Sequence, residues 1–556
     1  PTPILLTYQS ANSVDEAQAY ASDDYFGWLS DETGGNRDSM DSMSVAVGRL
    51  PVREEAEAEA LVDKIIRYME NATTGKWKTQ LCFLADDGNS GLHTRSSEMA
   101  AELIREEAKE LSITKIYIDS YQQETRASGE SYPLAKSKLD NLLNNGILFF
   151  DYCGHAGYNN LSDEQMLTAK QIQQMTNQNM GFWMLATCNF ARFDARATSA
   201  AEWAVLNPDG GAVALLAACR TVFAEQNEVL NKFVCQQLFS RASDGRFPNT
   251  IGEAVRKAKH LSTVEKNGDK NKLSYILLGD PALRLVYPDE FLIETAHISD
   301  TLRALSKQDV SGYIRTHEGD TATDFNGKLY VTIYDKQQQL QTLDNDQSSE
   351  ELKRKVDFLD FPNVLFSGET EIKDGRFNFS FMIPKDIRYN FGNGRMTYYA
   401  VDTLAGGEAI GYYEKMIIGG SLDVEIIDTI GPKVHLYLNN KNFTSGDKTN
   451  TLPHFYADIS DDNGINTVGS GIGHDLLLMV DNDLKQTYIL NESFTAKSGS
   501  YQEGRVSFKM SEMTEGQHSL MFRAWDLMNN STTETLDFEV VAGLNPEIFS
   551  VLVYPN

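Results

Sequence analysis

Two segments of the chain decide its fold: ILFFDYCGHAG at residues 147–157 and GFWMLATCNF at residues 181–190. Each is an apolar run of strand length that ends at a short group of polar and small residues. A helix is predicted between them, from Thr168 to Asn177, which makes a strand–helix–strand unit. Because such a crossover joins parallel strands, the two strands should lie in one sheet with their carboxyl ends at the same edge.

The same alternation of apolar strands and amphipathic helices runs from the start of the chain to Pro288. It predicts an α/β domain over residues 1–288, with a mostly parallel sheet that is covered by helices on both faces. Open sheets of this class bind their ligands beyond the carboxyl ends of the strands. The two quoted segments therefore predict the position of a functional site.

The pattern changes after Pro288, where helical periodicity gives way to alternating strands separated by turn residues. In Arg376–Ile383, for example, every second residue is apolar. This pattern predicts two all-β immunoglobulin-like sandwiches, over residues 289–425 and 426–545. Residues 546–556 are expected to form a linker toward a C-terminal domain.

Composition excludes several functions. The chain has 79 acidic and 50 basic residues in 556, a net charge of −29, which argues against a nucleic-acid partner. No apolar run reaches the roughly 18 residues that a membrane-spanning helix needs. The five cysteines all lie in the first half, are odd in number and show no CxxC spacing, so neither a disulfide framework nor a zinc site is expected.

The residues that can carry chemistry follow the two predicted strands. His155 stands after the first and Cys188 after the second, and the crossover should make them neighbours in space. A nearby imidazolium stabilises a thiolate, which is a strong nucleophile. The main-chain amides of Ala156 and Cys188 are candidates for an oxyanion hole. The alternative is a loop histidine with ordinary partners and a buried, inert cysteine.

This arrangement resembles the gingipain family of caspase-fold cysteine peptidases. The resemblance covers residues 20–288 and includes DDYFG at 23–27, VGRLP at 47–51 and LGDPALRL at 278–285. Within the family, the two β-domains after the peptidase and the final Tyr-Pro-Asn are similar to the sortases of the type IX secretion system of Bacteroidota.

The resemblance implies that Cys188 is the nucleophile and His155 the base. Most family members have glycine after this histidine, where this chain has Ala156. The residue that would orient the histidine is open, with Asp87 and His93 as candidates.

The resemblance also implies that no cofactor is required. Asp23 and Asp24 are candidate ligands of a calcium ion. The alternative is an acidic loop that binds no metal.

The sortase resemblance implies an activity and a set of partners. The enzyme would remove the C-terminal signal domain of secreted cargo and transfer the cargo to anionic lipopolysaccharide, at the cell surface in association with the outer membrane. Expected partners also include the outer-membrane attachment-complex proteins of type IX secretion. The missing N-terminal part of the same protein is a further expected partner, because family members place another strand and helix before DDYFG. A secreted gingipain-like endopeptidase and an inactive peptidase-fold scaffold remain as alternatives.

Overall fold

The computed structural model describes residues 6–11, 19–31, 33, 41–71, 73–126, 129–266, 271–345, 355–423, 428–468, 473–483 and 486–544. The expected boundary at 425–426 and the expected linker at 546–556 lie outside these residues. Three units follow one another along the chain: an α/β unit and two β units, here called the second and third units.

The described residues of the α/β unit form twelve strands and seven α-helices. Its strands are β1 Tyr8–Gln9, β2 Ala21–Ser22, β3 Gln80–Ala85, β4 Ser112–Tyr117, β5 Glu124–Arg126, β6 Gly129–Ser131, β7 Phe149–Cys153, β8 Asn160–Leu161, β9 Leu167–Thr168, β10 Phe182–Ala186, β11 Ala214–Ala218 and β12 Tyr275–Leu278. Its helices are α1 Glu55–Met69, α2 Leu92–Glu107, α3 Pro133–Asn145, α4 Ala169–Gln173, α5 Ala200–Leu206, α6 Ala224–Phe239 and α7 Ile251–Lys266.

Six of these strands form the central sheet, in the order β12-β11-β10-β7-β3-β4. All neighbours are parallel except β11 and β12, which are antiparallel. The innermost strands are buried along their whole length, which explains why they are apolar without alternation. The predicted mostly parallel sheet is confirmed, whereas α5 and the antiparallel β12 were not predicted.

In the second unit, the part that the structure describes has twelve strands: β13 Phe291–His297, β14 Thr301–Ala304, β15 Lys307–Arg315, β16 Gly327–Tyr334, β17 Gln338–Gln341, β18 Asp357–Asp360, β19 Val364–Lys373, β20 Arg376–Met382, β21 Gly392–Asn393, β22 Arg395–Asp402, β23 Glu408–Tyr413 and β24 Ile417–Ser421. Seven of them follow one another as β16-β22-β23-β13-β15-β20-β19, and β19 pairs again with β16. The hydrogen-bond ladder therefore closes into a ring instead of forming two separate sheets.

Nine strands are described in the third unit, outside residues 469–472 and 484–485: β25 Lys433–Leu438, β26 Lys448–Thr449, β27 His454–Ser460, β28 Leu477–Val480, β29 Thr487–Ile489, β30 Phe494–Ala496, β31 Glu503–Lys509, β32 Gly516–Trp525 and β33 Ser531–Val540. Four of them, β30-β31-β27-β25, continue the sheet of the second unit through the pairing of β30 with β19, and the other five form a separate sheet, β26-β33-β32-β28-β29. Phe455 and Phe522 pack between the sheets, with ring centroids 5.5 Å apart. The β-rich second half is confirmed, and its immunoglobulin-like form stays a prediction.

The second unit is anchored to the α/β unit by buried polar contacts. Lys78 and Glu408 form an ion pair at 2.6 Å, with side chains 0% and 6% exposed. Arg395 donates to the carbonyl oxygens of Lys109 and Leu111, just after the end of α2. The unit that carries the candidate site is therefore held against the strands that follow it. Among the described helices, none is both long and apolar enough to span a membrane.

Candidate active site

Three central strands end at the same level of the sheet. Cys153, the last residue of β7, is the register partner of Ala85 on β3 and of Ala186 on β10. His155 lies two residues beyond Cys153, and Cys188 lies two residues beyond Ala186. This register confirms that the two residues follow the carboxyl ends of adjacent parallel strands, as predicted.

The main chain of His155 is fixed on both sides. Its N–H donates to Oδ2 of Asp86 at 3.0 Å, and its carbonyl oxygen accepts from the Tyr152 hydroxyl at 2.6 Å and from the amide of Ser162 at 2.9 Å. The residue itself is exposed. An exposed imidazole on a fixed main chain is suited to proton transfer with a bound substrate.

Two glycines make room for this loop. A Cβ atom on Gly154 would overlap the Tyr152 hydroxyl and the Cβ atom of Asp86. A Cβ atom on Gly88 would lie 2.9 Å from Cδ2 and 3.1 Å from Nε2 of His155. The imidazole therefore packs against the main chain of Gly88, at a distance that a side chain there would not allow.

The thiol of Cys188 is half-buried and contacts the loop after β11. Its Sγ atom is 3.4 Å from the main-chain nitrogen of Val222 and 3.5 Å from the Val222 carbonyl oxygen. Burial raises the pKa of the thiol, and the Val222 contact opposes that effect. Within the described part of the chain, the sulfur has no hydrogen bond to His155.

The amides predicted for the oxyanion hole are those of Ala156 and Cys188. Ala156 faces Leu161 in an isolated antiparallel bridge. The hydrogen bonds of that bridge are made by the residues on either side, from Gly157 to Asn160 and from Ser162 to His155. Among the described residues, neither predicted amide is a donor to another protein group. No described protein acceptor therefore competes with a substrate oxygen for these two amides.

The candidates for the third residue occupy different places. The carboxylate of Asp87 accepts from the Tyr132 hydroxyl at 2.6 Å, and burial raises its pKa to about 8. This carboxyl group therefore faces Tyr132 and shows no hydrogen bond to His155 among the described residues. His93 is 6% exposed and meets the His155 ring edge-on, with centroids 5.1 Å apart. Burial lowers the pKa of His93 to about 4, so it is a neutral neighbour.

The carboxylate that does contact His155 is Asp86, and it contacts the main chain instead of the ring. Sequence analysis selected the adjacent residue, Asp87, and the identity of the third catalytic residue stays a prediction. Successive residues of an extended segment point to opposite sides, so the side chains of Asp86 and Asp87 after β3 are expected to have different neighbours. This alternation was the only sequence signal that distinguishes the two aspartates. The catalytic roles of Cys188 and His155 stay a prediction.

The two aspartates predicted to bind calcium each form an ion pair with a positively charged side chain. Asp23 accepts two hydrogen bonds from Arg49, at 2.6 and 2.7 Å, and Asp24 pairs with Lys259 at 2.6 Å. These ion pairs satisfy the carboxylates and do not favour a calcium site. The carboxylates that do converge among the described residues belong to the third unit, where ligand atoms of Asp428, Asp461 and Asp526 lie within 4.8 Å of one another.

Comparisons with known proteins place the chain in a family. The model of peptidase family C25 matches residues 2–286. Among curated proteins, none matches the sequence.

Several solved structures are similar to the chain. Dimeric latent PorU from Porphyromonas gingivalis is 27% identical over 99% of this chain and 46% of that chain, with a TM-score of 0.31. The Arg-specific cysteine proteinase gingipain R (RgpB) is 16% identical over 72% of this chain and 79% of that chain, with a TM-score of 0.41. The complex of the RgpB pro- and mature domains from P. gingivalis is 17% identical over 72% of this chain and 81% of that chain, with a TM-score of 0.38. This chain thus spans less than half of the PorU chain.

Proposed function

This chain belongs to peptidase family C25, the gingipain family of cysteine peptidases, and from that premise we propose that Cys188 is its nucleophile and His155 its general base. One observation carries the assignment: β7 and β10 are adjacent and parallel, and each residue stands two positions beyond a register pair. The two available amides of Ala156 and Cys188 support it further.

The proposed reaction is acyl transfer. His155 takes the thiol proton as the sulfur of Cys188 attacks the carbonyl carbon of the scissile peptide bond. The amides of Ala156 and Cys188 stabilise the negative oxygen of the tetrahedral intermediate. When the C–N bond breaks, His155 gives the proton to the leaving amine, and the acyl group remains on sulfur as a thioester. A second nucleophile then releases the acyl group.

The thiol must leave Val222 before it attacks. A rotation about the Cα–Cβ bond of Cys188 turns the sulfur from the main chain of Val222 toward the substrate. In this proposal the contact of the sulfur with Val222 belongs to the resting enzyme. No cofactor enters these steps, and calcium stays a prediction.

For the second step, we propose that the acceptor is an amine, which makes the protein a sortase. The cargo would lose its C-terminal signal domain and be joined to anionic lipopolysaccharide at the cell surface, beside the outer membrane. The attachment-complex proteins of type IX secretion and an N-terminal part of the same protein are proposed partners. Two β units after the peptidase support this proposal, since they give the enzyme surfaces beyond its site for such partners.

Two other functions are the alternatives to the sortase. A secreted endopeptidase would use the same residues but release the acyl group to water. An inactive scaffold is favoured by the contact of the Cys188 sulfur with Val222 instead of His155.

Labelling separates an enzyme from a scaffold. Of the five cysteines, only Cys188 is not fully buried. Iodoacetamide should modify Cys188 alone in the native protein and all five cysteines in guanidinium chloride. Peptide mass spectrometry locates the modified residue, and Cys188→Ala should remain unmodified. Equal modification of Cys188 in the wild type and in His155→Ala at pH 6 would support the scaffold.

Product analysis separates a sortase from a peptidase. A cargo protein with its C-terminal signal domain is incubated with the enzyme, with and without glycine methyl ester as the amine. A sortase should give cargo whose mass includes the amine, whereas a peptidase gives only the free acid. Cys188→Ala should give neither product. Free acid alone at high amine concentration would overturn the sortase assignment and leave the peptidase.

A further inference from the structure

We propose that Asp86 is the positioning residue of the site, and that it holds His155 through the main chain rather than through the imidazole ring. The inference rests on the proposed function and adds a residue to it. Asp86 follows Ala85, the last residue of β3, and Ala85 is level with Cys153 in the register of the sheet. Asp86 thus lies at the same edge of the sheet as the loop that carries His155.

The carboxylate joins two loops. Its Oδ2 atom accepts from the His155 N–H at 3.0 Å, and its Oδ1 atom accepts from the Gly88 N–H at 2.6 Å. The main-chain nitrogen of Asp86 donates to the carbonyl oxygen of Cys153 at 3.0 Å. Asp86 therefore connects the loop after β3 to the loop after β7, at the sheet edge where His155 and Cys188 lie.

Burial makes these contacts strong. Asp86 is 3% exposed, so its oxygens cannot exchange the two amides for water without opening the loops. A charged acceptor roughly doubles the strength of a hydrogen bond. The Tyr152 hydroxyl is 3.3 Å from Oδ2 but only 2.6 Å from the carbonyl oxygen of His155, so its one proton goes to the nearer atom. Asp86 and Tyr152 thus hold the N–H and the carbonyl of His155, respectively.

A carboxylate is required at this position because amide donors point at both of its oxygens. An asparagine would keep one acceptor and turn its own NH₂ group toward the other amide, where two donors would meet. The loss of one main-chain hydrogen bond would let the loop of His155 move. Since Gly88 packs on the imidazole, the same movement would also open the packing on the ring.

Asp86 is distinct from the catalytic pair in what it touches. It contacts neither the sulfur nor the ring of His155 among the described residues, and its effect on the reaction is through geometry. A displacement of about 1 Å in a reacting group costs roughly 100-fold in rate. A variant at Asp86 should therefore slow the step that depends on His155 and leave the intrinsic reactivity of the free thiolate unchanged.

The test is the pH profile of Cys188 alkylation by iodoacetamide in the full chain. The rate follows the thiolate population, which the imidazolium of His155 raises at low pH. Wild type, His155→Ala, Asp86→Asn and Asp86→Glu are compared from pH 5 to pH 9.5. Asp163→Asn, an exposed aspartate at the same edge of the sheet, is the matched control. Thermal unfolding measures the folded state of each variant.

The expected result is a selective loss at low pH. At pH 6, Asp86→Asn should react roughly 10- to 100-fold more slowly than wild type and approach His155→Ala. At pH 9.5, where the thiol ionises without help, all variants should converge. A change confined to thermal stability, with an unchanged profile, would overturn the inference. If Asp86→Asn does not fold, Asp86→Glu, which keeps the charge and misplaces the oxygens, should show the same selective loss.

The proposed function and the inference fail in different ways. Coincidence of the wild-type and His155→Ala profiles would overturn the pairing of His155 with Cys188, and the role of Asp86 with it. The alternative outcome is that the alkylation profile of His155→Ala differs from that of wild type, whereas the profiles of both folded Asp86 variants match wild type. This result would overturn the role of Asp86 alone. Slow alkylation of Asp163→Asn at pH 6 would also overturn the role of Asp86, because the loss of any negative charge at this edge would then have the same effect.

Discussion

The sulfur of Cys188 lies 3.4 Å from the main-chain nitrogen of Val222 and 3.5 Å from its carbonyl oxygen. The nitrogen donates to the sulfur and stabilises its ionised form, whereas burial of the side chain raises the pKa of the thiol. The acidity of the thiol in the resting protein therefore depends on a main-chain group of the loop after β11. This dependence can be measured separately from that on His155.

Replacement of Val222 by proline should make the thiol less acidic. Proline has no N–H, so the sulfur loses the donor that opposes the effect of burial. We expect the midpoint of the pH profile of Cys188 alkylation to move upward by about 0.5 to 1 pH unit, as for the loss of one hydrogen bond. Val222→Ala keeps the N–H and should leave the midpoint in place. An upward shift of equal size in both variants would contradict this explanation.

Replacement of Gly88 by alanine should displace the imidazole without weakening the fold. The main chain of Gly88 has φ −66° and ψ 175°, which alanine adopts freely. The new Cβ atom would lie 2.9 Å from Cδ2 of His155, so the ring has to move. We expect the alkylation rate of Cys188 at pH 6 to fall roughly 10- to 100-fold, with an unchanged or slightly higher melting temperature. Wild-type reactivity in this variant would show that the ring position in the structure is not the working one.

The buried carboxyl group of Asp151 should make the protein less stable as the pH rises. Asp151 is 0% exposed, on β7, and burial raises its pKa to about 7 from an ordinary value of 3.8. Below pH 3.8 both the folded and the unfolded chain carry the proton. Between pH 3.8 and about 7 only the folded chain keeps it, so unfolding releases a proton and stability falls with pH. Above that range the loss is complete, on the order of 4 kcal/mol.

Replacement of Asp151 by asparagine removes this titration. The difference in melting temperature between wild type and Asp151→Asn, measured from pH 5 to pH 8.5, should therefore change in favour of the variant as the pH rises. Asp163→Asn, at an exposed position, is the reference for the loss of a carboxylate that water solvates. A constant difference over this range would mean that Asp151 titrates alike in the folded and unfolded chain.

Removal of the charge of Glu408 should loosen the joint between the α/β unit and the second unit. Lys78 would keep a buried ammonium group without its counter-charge, which costs about 3–5 kcal/mol of unfolding free energy. Denaturation of Glu408→Gln in urea measures this loss. In Glu503→Gln, the partner Lys497 is 66% exposed and the loss should be within about 1 kcal/mol. Similar losses in the two variants would contradict the importance of burial. By the same reasoning, the α/β unit made alone should be less stable than in the full chain.

The placement of the candidate pair could be predicted because it follows from local patterns. The apolar runs before Cys153 and Thr187 are long enough to be buried strands, and the crossover rule makes them parallel neighbours. His155 and Cys188 then share an edge whatever the rest of the chain does. The same reasoning gave the correct class for residues 1–288.

The partners of that pair could not be predicted, because they depend on contacts without a sequence signature. Val222 meets the sulfur through its main chain, which every residue has, so no residue type marks the position. Asp86 and Asp87 are identical side chains in adjacent positions, and only the direction in which β3 ends separates them. Likewise, the ring of the second unit depends on the pairing of β16 with β19, which alternation in either strand does not determine.

That ring has a consequence for how copies of the protein meet at high concentration. An open sheet ends in a strand whose unpaired N–H and C=O groups can capture a strand of another molecule, which is a route to aggregation. Each of the seven strands in the ring has a hydrogen-bonded neighbour on both sides within the described residues. Other copies of the chain therefore meet no unpaired strand edge at the seven ring strands, and the open edges among the described residues of this unit are limited to the short strands β14, β21, β17 and β18.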